Sequence, residues 1–205
     1  MIAIPLGNKD GLWQSLSFRS LPQNQVTFAK KEISVEVKKS SSPLIYPLKN
    51  PQKVQSITLK GRVKKGALAI PPGATQGDGK ADDYILKVGL VKKGEKTLNW
   101  FQRKIAPDWV LKLYSLAPKN TGVSHIEFLV LGSQEKSLGR KRTHPLSNLL
   151  QEEVIGIFKP GKPFVLHKKF AKPMETLALW ISVDGDDTGS SFDVGIDSIE
   201  IQTQP

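Results

Sequence analysis

Six residues near the C-terminal end, Asp184-Gly185-Asp186-Asp187-Thr188-Gly189, place oxygen-bearing side chains at alternate positions and close on glycine. Hard cations such as calcium take several oxygens on a tightly curved loop, and glycine permits the curve. Asp184, Asp186 and Thr188 are therefore the first candidate ligands for a structural calcium ion. The match to an EF-hand loop stops there. Its twelfth position is Gly195, where a bidentate Glu is needed, and no helix is predicted on either side. The same residues also make a good hairpin turn with no ion in it. Asp197 is a further candidate ligand, which a loop residue such as Asp78 could join. It sits among the isoleucines of the last strand, and a carboxylate buried there needs a partner or a metal. A bulge near Asp197 and Ser198 would instead turn it outward.

Other reactive types are sparse. His125 and Glu127 share one face of a predicted strand, the start of a zinc pair, but no third ligand accompanies them. The three histidines lie far apart, no Gly-x-Ser-x-Gly occurs, and Gly77-Asp78-Gly79 lacks the following helix of a phosphate cradle. Asp82-Asp83 and Asp186-Asp187 could serve glycoside hydrolysis, which needs two carboxyls roughly 5–10 Å apart across a bond. Adjacent strand residues point apart, so solvated turns are the simpler expectation for both pairs. Trp100-Phe101 lies between Lys96 and Arg103 in an otherwise polar stretch. Exposed rings there could stack on a sugar or a base, and Trp100, Phe101 and Arg103 are the candidate ligand-binding residues. The plainer reading puts both rings in the core. Trp13, Trp109 and Trp180 lie in apolar patterns and are expected in the core.

The elements that must position these residues are strands. Leu177, Leu179, Ile181 and Val183 alternate with Ala178, Trp180 and Ser182, and Ile33, Val35 and Val37 alternate with polar neighbours. Val54–Val63, Val123–Leu131, Val154–Phe158 and Phe164–Phe170 are strand-like, and Trp109–Leu116 is assigned with them. Tyr84–Val91 is apolar on both faces apart from Lys87, as a central strand would be. A short helix is expected at about residues 147–153, with Ser147 as cap. About ten strands and almost no helical periodicity predict an all-β fold, a β-sandwich of jelly-roll type over residues 1–205 as a single domain.

Composition narrows the function classes. No cysteine occurs, which removes disulfides and thiolate metal sites. No apolar run is long enough to span a membrane, and Met-Ile-Ala-Ile-Pro lacks the charged start of a signal peptide. The net charge of +11 favours acidic partners. Most lysine pairs flank apolar runs and read as guards on strand edges. Only Arg140-Lys141-Arg142 is a compact basic run, read first as an exposed loop.

Several short motifs occur in a familiar order. Leu16-x-Phe18 with Pro22 leads to Ile33-Ser34-Val35-Glu36-Val37 and Ser41-Ser42-Pro43-Leu44-Ile45. Ile57-Thr58-Leu59-Lys60-Gly61-Arg62-Val63 and Ala81-Asp82-Asp83-Tyr84 follow, and the Asp184 turn comes last. This order resembles the bacterial domain of unknown function 3047. That family's tryptophan pair on the middle strand is replaced here around Lys60 to Val63, and residues 95–150 match it poorly. The resemblance implies an exported, periplasmic or secreted bacterial protein with no assigned activity. More broadly, Phe192 to Ile201 resembles the last strand of galactose-binding-like jelly rolls and carbohydrate-binding modules. In several of those, the strand's Asp ligates a structural calcium, and Asp197 would be that residue here. The expectation is a non-catalytic exported module that binds a glycan, with calcium as its candidate cofactor. An acidic polysaccharide is the ligand most in view, held by Lys96, Arg103 and Arg140 to Arg142 beside the rings of Trp100 and Phe101. A glycan hydrolase and a basic nucleic-acid binder are the alternatives, nucleic acid being the less favoured partner.

Overall fold

The computed structural model describes residues 1–204. Strand accounts for 52% of the chain and helix for 11%, so the all-β assignment holds. The strands are β1 (Ile2–Ala3), β2 (Gln14–Ser15), β3 (Gln25–Ala29), β4 (Glu32–Lys38) and β5 (Leu44–Ala67). After them come β6 (Leu86–Gly94), β7 (Gly122–Gly132), β8 (Lys141–Thr143), β9 (Leu150–Ile157), β10 (Phe164–Ser182) and β11 (Ser191–Thr203). They join in one mixed sheet in the order β3-β4-β11-β5-β10-β6-β7-β9-β8, with β1 on β11 and β2 on β5. Pairing is antiparallel throughout except between β7 and β9, which run parallel.

The alternation seen in the sequence sorts side chains onto two faces. Ile33, Val35 and Val37 of β4, Leu179 and Ile181 of β10, and Val88 and Leu90 of β6 enter the main core. That core lies between the two layers of the sandwich. Where they meet, β9 comes so close to β10 that a Cβ on Gly156 would lie 2.8 Å from the Leu166 side chain. The opposite face of β10, β6, β7 and β9 carries a second apolar cluster, including Ala178, Trp180, Val91, Ile126, Phe128 and Val154.

Helices cover part of that second cluster. Residues 95–121 leave the sheet between the neighbouring strands β6 and β7 and form α1 (Trp100–Ile105) and α2 (Asp108–Ser115). This corrects the strand expected at Trp109–Leu116. An eight-residue run, Asp-Trp-Val-Leu-Lys-Leu-Tyr-Ser, fits a period of two and one of 3.6 about equally. Packing decides: Leu113 is fully buried while Trp109 and Tyr114 lean on the same cluster, the spacing of one helix face. A capping box could have revealed α1. Gln102 N donates to Asn99 Oδ1 at 2.8 Å, and Asn99 N donates to Gln102 Oε1 at 2.9 Å. The helix expected at 147–153 is instead a turn leading into β9.

Near Asp197 the register of β11 on β5 slips between Ile196 and Ser198. This bulge lets Ile196, Ile199 and Ile201 all enter the core and turns Asp197 outward. Asp197 there accepts a hydrogen bond from Arg62 at 2.6 Å.

Candidate functional site

The deepest chemistry lies on the helix-covered face. Strand register builds it. Lys87 of β6 stands between Ser182 of β10 and Val130 of β7, and Glu152 of β9 stands between Phe128 of β7 and Arg142 of β8. Gly89 shares the Lys87 face, and a Cβ there would fall 2.4 Å from Ile126 and 2.7 Å from Phe128. Its missing side chain lets the Phe128 ring lie close across β6. Two loops close over this patch, one carrying Asp82 and Asp83 before β6, the other running from Asp184 to Thr188 between β10 and β11.

Between them lies a cavity of about 330 Å³. Phe18, Trp109, Phe128 and Trp180 are among its walls. Six carboxyl groups line it, those of Asp82, Asp83, Glu152, Asp184, Asp186 and Asp187, with a single lysine, Lys87. The acidity is unexpected in a chain of net charge +11.

Lys87 is only 8% exposed, and its Nζ lies 2.8 Å from Asp184 Oδ2 and 3.6 Å from Glu152 Oε1. Burial works against its charge, but Asp184 and Glu152 outweigh it and hold the pKa above the usual lysine value. Arg142 donates from Nε to Glu152 Oε2 at 2.6 Å and also bonds Asp82. Burial raises the Asp82 carboxyl despite that hydrogen bond. His144, 3.3 Å from Asp82, is pushed below its ordinary value by burial and by the Lys87 charge.

Asp83, 1% exposed, accepts from both Thr188 N (2.7 Å) and Thr188 Oγ1 (2.6 Å), which pins the Asp184 loop to the β6 loop. Ser41 Oγ donates to Asp184 Oδ1 at 2.7 Å. Two buried carboxylate oxygens nevertheless have no hydrogen-bond donor, Asp83 Oδ1 and Glu152 Oε1. Asp184 Oδ2 has the Lys87 ammonium at 2.8 Å, whereas Glu152 Oε1 is 3.6 Å from it. Asp186 is half-buried and lacks a cation. Its own desolvation, then the charges of Asp83 and Asp184, push it up to about 6.

The candidate calcium ligands are thus distributed in two places. Asp184, Asp186 and Thr188 stay together in one loop, but Ser41, Lys87 and Asp83 already engage Asp184 and Thr188. Asp197 lies six residues beyond the start of β11, roughly 20 Å along the strand at its usual rise. Asp78 is taken by Arg140 at 2.6 Å. Among the described residues no group of three or more His, Cys, Asp or Glu side chains has metal-site geometry. In this arrangement the oxygens of Asp184 and Thr188 are held by protein partners.

The expected basic surface also changes. Arg140 is bound to Asp78 and to the Gln76 carbonyl, and Arg142 to Glu152 and Asp82, so neither stands free for an anionic ligand. Asp82 and Asp83, expected as solvated turn residues, are drawn into the cavity wall. Trp100 and Phe101 are 71% and 62% exposed on α1, with Lys104 Nζ 3.9 Å over the Trp100 ring. Arg103 lines a neighbouring groove that shares Phe18, Ser20 and Trp109 with the cavity. His125 and Glu127 do meet, at 3.3 Å.

The clearest signal that sequence reasoning left unused was Lys87, the one charge in an apolar central strand. Glu152 and Arg142 had no signal of their own, because both depend on the β8–β9–β7 register.

No protein-family model matches the chain, so no family match stands behind the resemblance to the domain of unknown function 3047. No curated protein matches it either. Among solved structures, it is similar to the VIP36 exoplasmic/lumenal domain in its Ca2+/Man3GlcNAc-bound form. The TM-score is 0.45 at 9% identity, over 95% of this chain and 86% of that one. The Ca2+/Man-bound form of the same domain gives 0.42 at 9% identity, over 94% and 83%. At this level neither likeness bears on ligand, metal or mechanism.

Proposed function

We infer that the chain is a non-catalytic binding module whose ligand is a glycan seated in the cavity between Trp109, Trp180 and the two acidic loops. One observation carries the reading. Two buried carboxylate oxygens without donors, on Asp83 and Glu152, belong to residues that line a cavity walled by aromatic rings. A buried acceptor without a donor is costly. Sugar hydroxyls supply donors in number, and the partly exposed rings of Trp109 and Phe18 supply stacking area for the pyranose. Lys87, in place of a calcium ion, balances the carboxylates of the Asp184 loop. Trp100, Phe101 and Arg103 form a second candidate surface on α1, beside the groove that Arg103 shares with the cavity wall. The reading puts the protein outside the cytoplasm, periplasmic or secreted, as the sequence resemblance implies. Among the described residues no helix is long and apolar enough to cross a membrane.

The acidity of the cavity speaks against nucleic acid there, since phosphates would meet like charge. The hydrolase alternative has one specific support. Asp186, raised to about 6 beside other carboxylates, is placed as an acid poised near neutral pH. A glycan array decides between these readings, followed by calorimetry and reducing-end release on each bound glycan. Binding without turnover, lost in Trp109→Ala, is the expected result. Turnover that disappears in Asp186→Asn would establish the hydrolase. No bound glycan at all would end the carbohydrate reading.

A further inference from the structure

We propose that the cavity selects a cationic sugar, an amino-sugar unit carrying a free protonated amine, over neutral or acidic glycans. The proposal rests on the glycan reading above and adds the charge of the ligand. Six carboxyl groups line the cavity against Lys87 alone, and Arg142, behind the wall, offsets only part of the remainder. The two oxygens without donors belong to side chains that are almost wholly buried, Glu152 (4% exposed) and Asp83 (1%). Buried carboxylates in excess of their counter-charges require a cation or a proton.

The form of the cation follows from the same geometry. A metal ion needs several oxygens converging on one point, and among the described residues no three carboxylate or histidine side chains do so. The Lys87 ammonium also stands 2.8 Å from Asp184, where it would repel a dication. An alkylammonium asks for less: two or three acceptors at hydrogen-bond distance and an apolar or aromatic surround. The cavity already hosts one ammonium in this manner. Lys87 Nζ lies among carboxylates, 5.6 Å from the centroid of the Tyr84 ring and 5.9 Å from that of Phe128. The unpaired carboxylates of Asp186 and Asp187, backed by the buried charge of Asp83, offer a second ammonium the same treatment, with the partly exposed rings of Trp109 and Phe18 to stack the sugar ring. An acidic polysaccharide would bring like charge into this space, so the proposal reverses the charge expected of the ligand from the basic composition.

The test uses a matched pair of probes, the β-1,4 tetramer of glucosamine and its fully N-acetylated counterpart, titrated calorimetrically at pH 6.5 in low and high salt. The two share a sugar backbone and differ in the amine charge. The expected result is binding of the glucosamine tetramer at least tenfold tighter than its acetylated form. That preference should shrink as salt rises. Asp187→Asn, at an exposed loop position, should reduce it severalfold with no change in melting temperature. Asp83→Asn should reduce it further, with a thermal melt to confirm folding. Equal binding of the two tetramers, or tighter binding of the acetylated one, overturns the charge selection and leaves the glycan reading standing. If neither tetramer binds while a neutral or acidic glycan on the array does, the outcome is the same. If nothing on the array binds, both fall.

Discussion

Replacing Asp186 by Asn should stabilise the protein, with a gain that grows from about pH 4 and is nearly complete by about pH 6. The carboxyl is held at about 6 against an ordinary 3.8, mainly by its own desolvation and then by Asp83 and Asp184. The sign follows from proton uptake. Between these two values the folded state binds more protons at Asp186 than the unfolded state does, so stability falls as pH rises through that window. Above it the full penalty is present, and below pH 4 it is gone. A shift of this size corresponds to about 3 kcal/mol at 1.36 per pH unit. Asp186 is only half-buried, and solvent screening reduces that to about 1 kcal/mol. Asn keeps the shape and discards the charge. Urea unfolding of wild type and Asp186→Asn at pH 4, 6 and 7.5 measures the effect. The mutant should gain about 1 kcal/mol at pH 7.5, most of that at pH 6, and almost nothing at pH 4. A gain independent of pH, or a loss at pH 7.5, would refute the picture of crowded carboxylates without a cation.

Three further outcomes follow from the same structure. Lys87→Met should cost about 3–5 kcal/mol in chemical denaturation, because it strands Asp184 and Glu152 in the wall. Adding Asp184→Asn and Glu152→Gln should recover most of the loss, and a mild effect of Lys87→Met alone would show that the wall is wetter than it looks. Trp100→Ala should leave the melting temperature within about 1 °C, since an exposed substitution changes stability by about 0.5 kcal/mol or less. A drop of several degrees would mean that the ring is packed. Excess calcium, compared with chelator, should not move the melting temperature of metal-free protein, whereas a native-state ion would raise it by mass action.

Much of the strand pattern was legible in the residues themselves. Alternation in Ile33–Val37, Val123–Leu131 and Leu177–Val183 is a local property, and it marks which side chains enter a core whatever the strands pair with. At Asp197 the alternation left two readings open, a bulge or an inward carboxylate, and the register slip on β5 decides for the bulge. Ile196 and Ile199 share the core only if one residue between them drops out of the pleat. The helices α1 and α2 were harder. Runs of six and eight residues are too short for a period of 3.6 to stand apart from one of two, and only docking of Leu113 on the outer face resolves it.

The site belongs to the tertiary structure. Lys87 was visible as a lone charge in an apolar strand, and the Asp184 turn as a cluster of oxygens, but nothing local joins them. Their meeting depends on β10 lying beside β6, and the arrival of Glu152 depends on β9 crossing over to run parallel to β7. Strand order and register are long-range choices, made by the burial of whole faces and not by the residues that end up as neighbours. The same choices drew Arg142 from the surface into buried ion pairs, tied Arg140 to Asp78 at the surface, and gave a strongly basic chain an acidic cavity.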